Sequence, residues 1–278
     1  PDRIVIGADD QAAAVKVSSL YLGITAPVIV TDPASAETIK YAANGYLAMK
    51  ISFVNAVAAL CEAVGADVQH VIDGIGSDHR IGRAFLRPGP GWGGSCFPKD
   101  SRALVSIAAQ HGYDFSMMRG VIAVNDEQRE RMIRKIVTAA GRDVDTGGEP
   151  LAGVTVAALG LTFKAGTDDL RESPGVAIIE RLRQLGATVC AYDPTTSDTL
   201  DDVQRSRLGD LQLAPDAYAA ADGADVVVVL TEWPEFVGLN MTRIAKAMAG
   251  TAVVDTRNVL NASSVKAAGL SYDGVGRR

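Results

Sequence analysis

The chain has 278 residues, of which 47% are hydrophobic and 22% are charged, and its formal net charge is −6. That length is enough for two domains, and the composition is typical of a globular protein. The acidic balance does not favour a nucleic-acid partner, and we expect no membrane-spanning helix, because no uninterrupted apolar run approaches the roughly 20 residues that span a bilayer.

The beginning of the chain follows the order strand, helix, strand. Apolar residues typical of strands fill 3–7 and 28–31, and a helical pattern fills 11–21. Two strands and one helix bury too little surface to form a core by themselves. Residues 1–31 are therefore interpreted as the end of an α/β domain whose beginning lies outside this sequence.

A long helix is predicted to begin after Asp32 and to end before Gly65. Asp32 can cap the first free N–H groups, Pro33 suits the first helical position, and glycine commonly ends helices. The helix would contain about 30 residues and extend about 45 Å. It is longer than most helices in globular domains, and its apolar residues outnumber those that one small helical layer can bury. We therefore expect a homodimer formed along this helix.

Further helices are predicted for residues 67–75, 100–111 and 117–140. The segment 87–94 is too rich in glycine and proline to be helical. A polar, glycine-rich stretch at 141–150 marks a boundary. We accordingly assign residues 32–148 to an all-helical central domain and residues 149–278 to a C-terminal domain.

The C-terminal domain alternates short apolar runs with helical stretches. The runs at 155–160, 188–192, 225–230 and 251–255 are apolar almost throughout, and a helical pattern fills 175–185. Such strands are typical of a parallel sheet that is covered by helices on both faces. The predicted class is therefore α/β, with a helical central domain followed by a doubly wound, Rossmann-like sheet.

The three cysteines, Cys61, Cys96 and Cys190, are scattered along the chain. This low, odd count argues against a disulfide framework and fits the reducing cytoplasm. No pair of cysteines or histidines has the spacing of a zinc site, so we predict no metal.

Cys96 has the strongest local signal for chemistry. It ends a glycine-rich stretch that begins at Gly89, and Lys99 and Asp100 follow it closely. Glycines allow a ligand to approach the backbone, and a nearby lysine favours the thiolate form of cysteine. A tight turn with an incidental free thiol is the alternative, and spacing alone gives the two interpretations similar weight.

Lys40 and Asn44 lie four residues apart on the long predicted helix and therefore share a face. A lysine and an amide on one face can hold an oxyanion and an ordered water. Spacing alone favours a solvated stripe.

The turn after the first strand of the C-terminal domain is where nucleotides bind in doubly wound folds, but it lacks the G-x-G-x-x-G spacing of a dinucleotide site. Lys164 and Arg171 follow that strand and are candidates for contacting a nucleotide. For Arg171 a surface salt bridge is the alternative. Asp193 follows the second strand, where an acid could bind a ribose, but the missing glycine spacing argues against that role.

Five motifs together carry a resemblance to a known family. In chain order they are Glu37-x-x-Lys40-Tyr41-x-x-Asn44, Ser77-Asp78-His79-Arg80-Ile81-Gly82, Gly93-Gly94-Ser95-Cys96-x-Pro98-Lys99-Asp100, Phe163-Lys164-x-Gly166-Thr167-Asp168 with Arg171-Glu172-Ser173-Pro174, and Asp255-Thr256-Arg257-Asn258. This set resembles the UDP-glucose/GDP-mannose dehydrogenase family along nearly the whole chain. The stretch from Asp78 to Gly82 is more similar to the members that act on UDP-glucose.

The resemblance implies an oxidation of UDP-glucose to UDP-glucuronate that consumes two NAD⁺ in succession. The cysteine matched by Cys96 adds to the intermediate aldehyde as a thiohemiacetal, which is oxidised to a thioester and then hydrolysed. A thiol suits these steps because it adds readily to aldehydes and leaves readily from thioesters.

The resemblance also implies roles for individual residues. Lys40 and Asn44 match the pair that stabilises oxyanions and orders water, and Asp100 matches the acidic residue beside the cysteine. Lys99 and Arg171 match contacts to NAD, and Arg80 matches an arginine that reaches the substrate of the neighbouring subunit in a homodimer. The remaining matches are to UDP-sugar contacts, namely Phe85, Leu86, Arg87, Pro88, Gly89, Gly93 and Lys164.

Family members begin with a Rossmann domain that carries most of the NAD site and further catalytic carboxylates, and this sequence has no counterpart to it beyond residues 1–31. The resemblance therefore implies a fragment that is inactive alone but retains UDP-sugar contacts. Two alternatives stay open: a dehydrogenase for GDP-mannose or a UDP-N-acetylhexosamine, and a non-catalytic module that binds a nucleotide and dimerises.

Overall fold

The structure is a computed structural model, and it describes residues 1–195 and 202–277. Its helices are α1 (Gln11–Ser19), α2 (Pro33–Val64), α3 (Val68–Gly76), α4 (Phe97–Gln110), α5 (Ser116–Ala139), α6 (Pro174–Gln184), α7 (Asp202–Leu208), α8 (Ala217–Ala220), α9 (Pro234–Val237), α10 (Met241–Ala247) and α11 (Ala262–Ala267). Its strands are β1 (Ile4–Gly7), β2 (Val28–Thr31), β3 (Thr155–Leu159), β4 (Thr188–Tyr192), β5 (Gln212–Leu213), β6 (Val226–Val229), β7 (Ala252–Asp255) and β8 (Ser271–Gly274).

The N-terminal strands β1 and β2 pair in parallel and form a sheet of their own, with α1 between them in the chain. This confirms the predicted order of elements, although α1 ends two residues before the predicted limit. Val28, Ile29 and Val30 of β2 are exposed. Exposed neighbours on a strand alternate between the two faces of the sheet, so both faces of β2 lack a covering layer within the described residues.

Helix α2 has the predicted bounds and the predicted caps. The Asp32 carboxylate accepts a hydrogen bond from the Ser35 N–H (2.8 Å), and Pro33 begins the helix. Gly65 ends it with a φ of 76°, in the left-handed region that favours glycine. The 32 residues of this helix pack against α4 and α5.

The expectation about membranes needs a correction, because α2 is long and apolar enough to cross a bilayer by length and composition. The sequence contains no uninterrupted apolar run of that length, but α2 has a high average content of apolar residues, which Lys50 interrupts. A protein environment also explains such a composition. Ala48, Val54 and Ala58 are buried against other helices, whereas Tyr46, Phe53 and Leu60 are exposed.

The remaining central helices follow α2 as predicted, with one displaced boundary. Helix α4 begins at Phe97, three residues before the predicted start, with Cys96 at the N-cap and Pro98 inside the first turn. Proline is tolerated there because first-turn N–H groups have no partner within the helix. Cys96 is consequently part of a helix terminus rather than of a detached loop.

The C-terminal sheet has the order β5-β4-β3-β6-β7-β8, and each neighbouring pair is parallel. The chain moves outwards from β3 first to one side and then to the other, which is the doubly wound topology that was predicted. Strands β5 and β8 were missed. The first contains two residues, and the second reads Ser-Tyr-Asp-Gly, so neither forms an apolar run.

Two hydrophobic clusters cover the two faces of this sheet. One face packs against residues of the C-terminal helices, including Ile244 and Val265. The other face shares a single cluster with the central helices, in which Val54 and Ile136 lie with Val156 of β3. The central helices therefore form part of the covering layer of the C-terminal sheet and fix its position relative to Cys96.

Candidate active site

Cys96 lies where the glycine-rich segment meets α4, and its side chain is exposed. No side chain caps the free N–H groups of this helix start. Such groups carry partial positive charge and favour an anion at the N-cap. The geometry therefore places an accessible thiol at the positive end of a helix.

Asp100 is one helical turn beyond Cys96 and is buried, with 1% of its surface exposed. Its carboxylate accepts hydrogen bonds from Lys40 Nζ (2.8 Å), Asn44 Nδ2 (2.5 Å) and Lys99 Nζ (2.6 Å). Burial raises the pKa of this carboxyl, but the bonds from Lys40, Lys99 and Asn44 outweigh burial and lower the pKa to about 2. Asp100 is therefore ionised at neutral pH and acts as a hydrogen-bond acceptor for these three donors.

The Asp100 cluster shows where the side chains of Lys40 and Asn44 lie. Both side chains turn from α2 towards Asp100 instead of forming a solvated stripe. The Lys40 side chain is nevertheless exposed over 59% of its surface. The two donors and the carboxylate thus meet at an accessible point one turn from the thiol.

The glycine-rich segment before Cys96 is buried and fixed by side chains that the sequence did not single out. Asn55 of α2 and Gln128 of α5 bond the Gly89 peptide, and Asn125 of α5 bonds the Trp92 peptide. All three amides lie on otherwise apolar helix faces. The sequence offered one indication of this arrangement. Asn55 follows Asn44 at helical spacing, so both amides lie on one face of α2.

Two glycines bring this segment against the C-terminal domain. A Cβ atom on Gly93 would lie 2.0 Å from the carbonyl oxygen of Glu172, and one on Gly94 would lie 2.8 Å from the Phe163 ring. Only glycine permits such an approach. The contact brings the Phe163–Pro174 stretch next to the cysteine, although the two are far apart in sequence.

Lys99, Arg171 and Lys164 are the cations predicted to contact a nucleotide. A hydrogen bond to Asp100 raises the pKa of Lys99, and Cys96 adds a smaller Coulomb contribution. The Arg171 guanidinium donates to both carboxylate oxygens of Asp169, from Nε (2.9 Å) and from Nη2 (2.8 Å). These bonds raise the pKa of Arg171, and Cys96 again makes a smaller contribution. Lys164 is exposed, with its Nζ 5.3 Å from the centroid of the Phe163 ring. The first two cations therefore share the electrostatic environment of the thiol.

A cavity of about 440 Å³ opens on the other side of the glycine-rich segment, between the central helices and the C-terminal sheet. Leu86, Arg87 and Pro88 line it, as do Arg83 of the central domain and Arg257 of the C-terminal domain. Arg257 is held by Glu232 (3.1 Å) and by the Leu230 carbonyl oxygen (2.9 Å). Its motif was noticed in the sequence, but no site role was assigned to it.

The two ends of the predicted substrate loop, Phe85 and Gly89, lie in different environments. Phe85 is exposed and has a φ of 63°, a conformation that bulky residues seldom adopt. Its ring lies 6.3 Å from the ring of Phe97 at the start of α4. Gly89, at the other end, packs beside the Arg257 guanidinium.

Arg80 is the predicted site residue that lies apart from the cysteine cluster and the cavity. Its exposed guanidinium forms a two-point contact with Asp78. Lys50 of α2 donates to the carbonyl oxygens of Ile81 (2.9 Å) and Gly82 (3.3 Å) and so fixes this loop beside the exposed face of α2.

The turn after β3 is closed to a dinucleotide. Asp193, which the sequence argued against as a ribose ligand, instead accepts bonds from the N–H groups of Leu161 (2.7 Å) and Thr162 (3.1 Å) and from the Trp233 indole (3.0 Å). A Cβ on Gly160 would meet Thr231 at 2.5 Å. Asp193 and Thr231 are thus held in contacts at this turn, which also lacks the closely spaced glycines of a dinucleotide site.

We predict that limiting alkylating reagent labels Cys96 before the other cysteines. Cys96 is exposed, whereas Cys61 is buried and Cys190 partly buried, and burial raises the pKa of both of the latter thiols. Peptide mapping by mass spectrometry after a short exposure gives the order. Faster labelling of Cys61 than of Cys96 would contradict the assignment of Cys96 as the reactive thiol.

Comparison with known proteins gives matches over both domains. The central domain of the UDP-glucose/GDP-mannose dehydrogenase family matches residues 34–127, and the UDP binding domain of that family matches residues 157–262. The chain is 43% identical over its whole length to a UDP-glucose 6-dehydrogenase of Rhizobium meliloti, of which it covers 62%. It is 42% identical to UDP-glucose 6-dehydrogenase TuaD of Bacillus subtilis, with 99% of the chain and 58% of that protein covered.

Among solved structures, a UDP-glucose dehydrogenase from Pyrobaculum islandicum superposes with a TM-score of 0.85 at 36% identity, covering 100% of this chain and 59% of that one. A UDP-D-ManNAc dehydrogenase from Pyrococcus horikoshii superposes with a TM-score of 0.79 at 27% identity, covering 99% and 60%. The chain thus spans about three fifths of the length of these relatives.

Proposed function

Because this chain belongs to the UDP-glucose/GDP-mannose dehydrogenase family, we propose that it contributes the cysteine and the UDP-sugar site to an NAD-dependent oxidation of UDP-glucose to UDP-glucuronate. The observation that carries the proposal is the placement of an exposed thiol, Cys96, one helical turn from a buried carboxylate with three donors. A structural turn with an incidental thiol does not require that cluster.

In this proposal the Cys96 thiolate attacks the aldehyde carbon that the first oxidation leaves at C6 of the sugar. A carbon–sulfur bond forms, and the former carbonyl oxygen becomes the hydroxyl of a thiohemiacetal. Loss of a hydride from C6 and of the hydroxyl proton then gives a thioester. Water adds to the thioester carbonyl, and the Cys96 sulfur leaves with the bonding pair.

The Asp100 cluster supports the last of these steps. The ionised Asp100 holds Lys40 and Asn44 in place, and these two residues can donate further hydrogen bonds to the attacking water and to the oxyanion that develops. These residues hold one another in place before substrate arrives, which reduces the reorganisation needed in the transition state.

NAD⁺, when bound, accepts the hydride in both oxidation steps. Lys99 and Arg171 are the residues of this chain that fit its edge, because both lie in the charge environment of Cys96. The closed turn after β3 does not fit a dinucleotide. We propose that the cofactor is held by a preceding Rossmann domain, of which residues 1–31, with the uncovered strand β2, form the end.

The UDP-sugar is proposed to occupy the cavity beside the glycine-rich segment. Arg87 and Arg257 on its walls suit a diphosphate, and the backbone of Phe85–Gly89 and of Gly93 can contact the nucleotide and sugar. Lys164 extends these contacts from the C-terminal domain. The three unpaired cysteines are consistent with a cytoplasmic location, which we also propose.

Titration of the purified chain with UDP-glucose and with GDP-mannose tests this function. We expect UDP-glucose to bind more tightly than GDP-mannose, because this chain contains all of the residues that are proposed to contact a UDP-sugar. No sustained NADH should form with excess NAD⁺, because the two cations proposed to contact the cofactor, Lys99 and Arg171, are not enough to hold the nicotinamide over C6. Preference for GDP-mannose or for a UDP-N-acetylhexosamine would assign the other substrate, and sustained NADH production would show that the cofactor site is misplaced.

A homodimer along α2 is proposed as the assembly. Tyr46, Phe53 and Leu60 are spaced by seven residues and form an exposed apolar stripe, and Lys50 fixes the Arg80 loop beside α2. Phe53→Asp should shift the protein from dimer to monomer in sedimentation at micromolar concentration. Tyr113→Asp, which alters a similarly exposed aromatic residue in the turn between α4 and α5, is the control and should remain dimeric. A monomeric wild-type chain would refute the proposed dimer.

A further inference from the structure

At two residues of the glycine-rich segment, Gly89 and Trp92, the backbone polar groups pair with amide side chains rather than with other backbone. At the Gly89 peptide, the N–H donates to Asn55 Oδ1 (2.9 Å) and the carbonyl accepts from Gln128 Nε2 (2.7 Å). At Trp92, the N–H donates to Asn125 Oδ1 (2.7 Å) and the carbonyl accepts from Asn125 Nδ2 (3.1 Å). Glycines and prolines have little side chain to pack, so these bonds largely determine how the segment lies.

Gln128 differs from the other two amides because it continues into a chain of polar contacts. Its Oε1 accepts a hydrogen bond from Arg131 (3.0 Å), and Arg131 also donates to Glu62 of α2 (2.8 Å). The other oxygen of Glu62 accepts the N–H of Gly276, at the end of the C-terminal domain (2.7 Å). Gln128 therefore connects the Gly89 carbonyl with a contact between the two domains.

The surroundings of Gln128 make this connection stiff. Its side chain is 2% exposed, and the bonded Gly89 carbonyl is buried as well. A buried carbonyl that loses its donor keeps the full cost of its desolvation, so the peptide would turn to find another partner. The Gly89 carbonyl belongs to the peptide that joins Gly89 to Pro90, so turning it would displace the segment that leads to Cys96 relative to Pro88, on the cavity wall.

We propose that Gln128 is a positioning residue, which sets the orientation of the Gly89 peptide and thereby aligns the cavity wall with the Cys96 helix start. The inference rests on the proposed function and deepens it, since it assigns the alignment of the UDP-sugar site to a residue that contacts neither the substrate nor the thiol. The hydrogen bonds through Arg131 and Glu62 fix the position of Gln128 relative to the C-terminal domain.

Two variants of the 278-residue chain separate positioning from general stability. Gln128→Glu keeps the shape and the acceptor for Arg131 but removes the donor to Gly89, whereas Gln128→Met removes both bonds. Ile133→Ala, in the apolar core on the same helix, is the matched control, because it destabilises the core without altering a bond to the segment. Gln128→Glu keeps the test valid if Gln128→Met fails to fold.

The first measurement is hydrogen exchange resolved to the amides of Gly89 and Trp92, and the second is the dissociation constant of UDP-glucose. In both Gln128 variants we expect exchange of these amides to accelerate by about 10-fold or more while the other α5 amides exchange as before. UDP-glucose should bind about 10-fold more weakly. In the control, any acceleration should be spread evenly rather than confined to Gly89 and Trp92, and UDP-glucose should bind as in the wild type.

Unchanged exchange at Gly89 and Trp92, or acceleration spread evenly along α5, would overturn the positioning role whatever happens to binding. Selective acceleration with unchanged UDP-glucose affinity would overturn it too, since the alignment would then not serve the site. If the wild-type chain bound no UDP-glucose at all, the proposed function would fail, and selective acceleration would still establish that Gln128 orients the segment.

Discussion

Replacing Cys96 with serine should abolish UDP-glucuronate formation in the full-length enzyme, a loss of several orders of magnitude. A hydroxyl at this position adds weakly to an aldehyde and, once an ester has formed, leaves poorly when water attacks. The serine would occupy the same N-cap position at the start of α4, so the fold should be preserved. The measurement is chromatographic quantification of UDP-glucuronate at saturating UDP-glucose and NAD⁺.

The other two cysteines provide matched controls. Cys61→Ser and Cys190→Ser make the same atomic change at a buried helical position and at a partly buried strand position. Both should retain turnover, with a loss of thermal stability from placing a hydroxyl among apolar groups. Product formation by Cys96→Ser at a rate near that of the wild type would remove Cys96 from the mechanism.

Gly93→Ala should destabilise the chain by about 1–3 kcal/mol and strongly weaken UDP-glucose binding. The added methyl would lie 2.0 Å from the Glu172 carbonyl oxygen and 2.8 Å from the Pro174 ring. Both neighbours are rigid, since one is backbone and the other begins α6, so the glycine-rich segment must withdraw from the C-terminal domain. Chemical denaturation and a UDP-glucose titration measure the two effects.

Gly120→Ala is the control for this substitution. Gly120 lies within α5, and a Cβ there would meet no atom within 4 Å. Alanine in a helix interior is favoured over glycine by roughly 0.5–1 kcal/mol, so this variant should be slightly more stable than the wild type. If Gly93→Ala were as stable as the wild type and bound UDP-glucose equally well, the close approach at Glu172 would not be required by the fold.

The features that could be predicted from the sequence are those with local physical causes. The limits of α2 follow from Asp32, Pro33 and Gly65, each of which acts on its immediate neighbours. The central strands of the C-terminal sheet are buried on both faces, so their apolar runs identify them. The resemblance to family motifs then indicated which polar residues to consider.

What the sequence could not indicate depends on contacts between distant segments. Lys40 and Asn44 bond a carboxylate on another helix, and spacing along α2 alone favoured solvent instead. Strand β8 is recognisable only because it pairs with β7. The apolar content of α2 did not indicate a possible membrane span, because Lys50 interrupts the apolar residues, some of which other helices cover while others are exposed.

The hydrophobic cluster that joins α2 and α5 to the face of the C-terminal sheet also bears on how the chain gains and loses its structure. Met132 and Ile136 of α5 pack in the same cluster as Val156 and Val228 of the sheet. Either half folded alone would present this surface to water, so the helical layer and the sheet are expected to melt as one cooperative unit rather than in two stages. Expression of either half by cutting near residue 148 should accordingly give an aggregation-prone product.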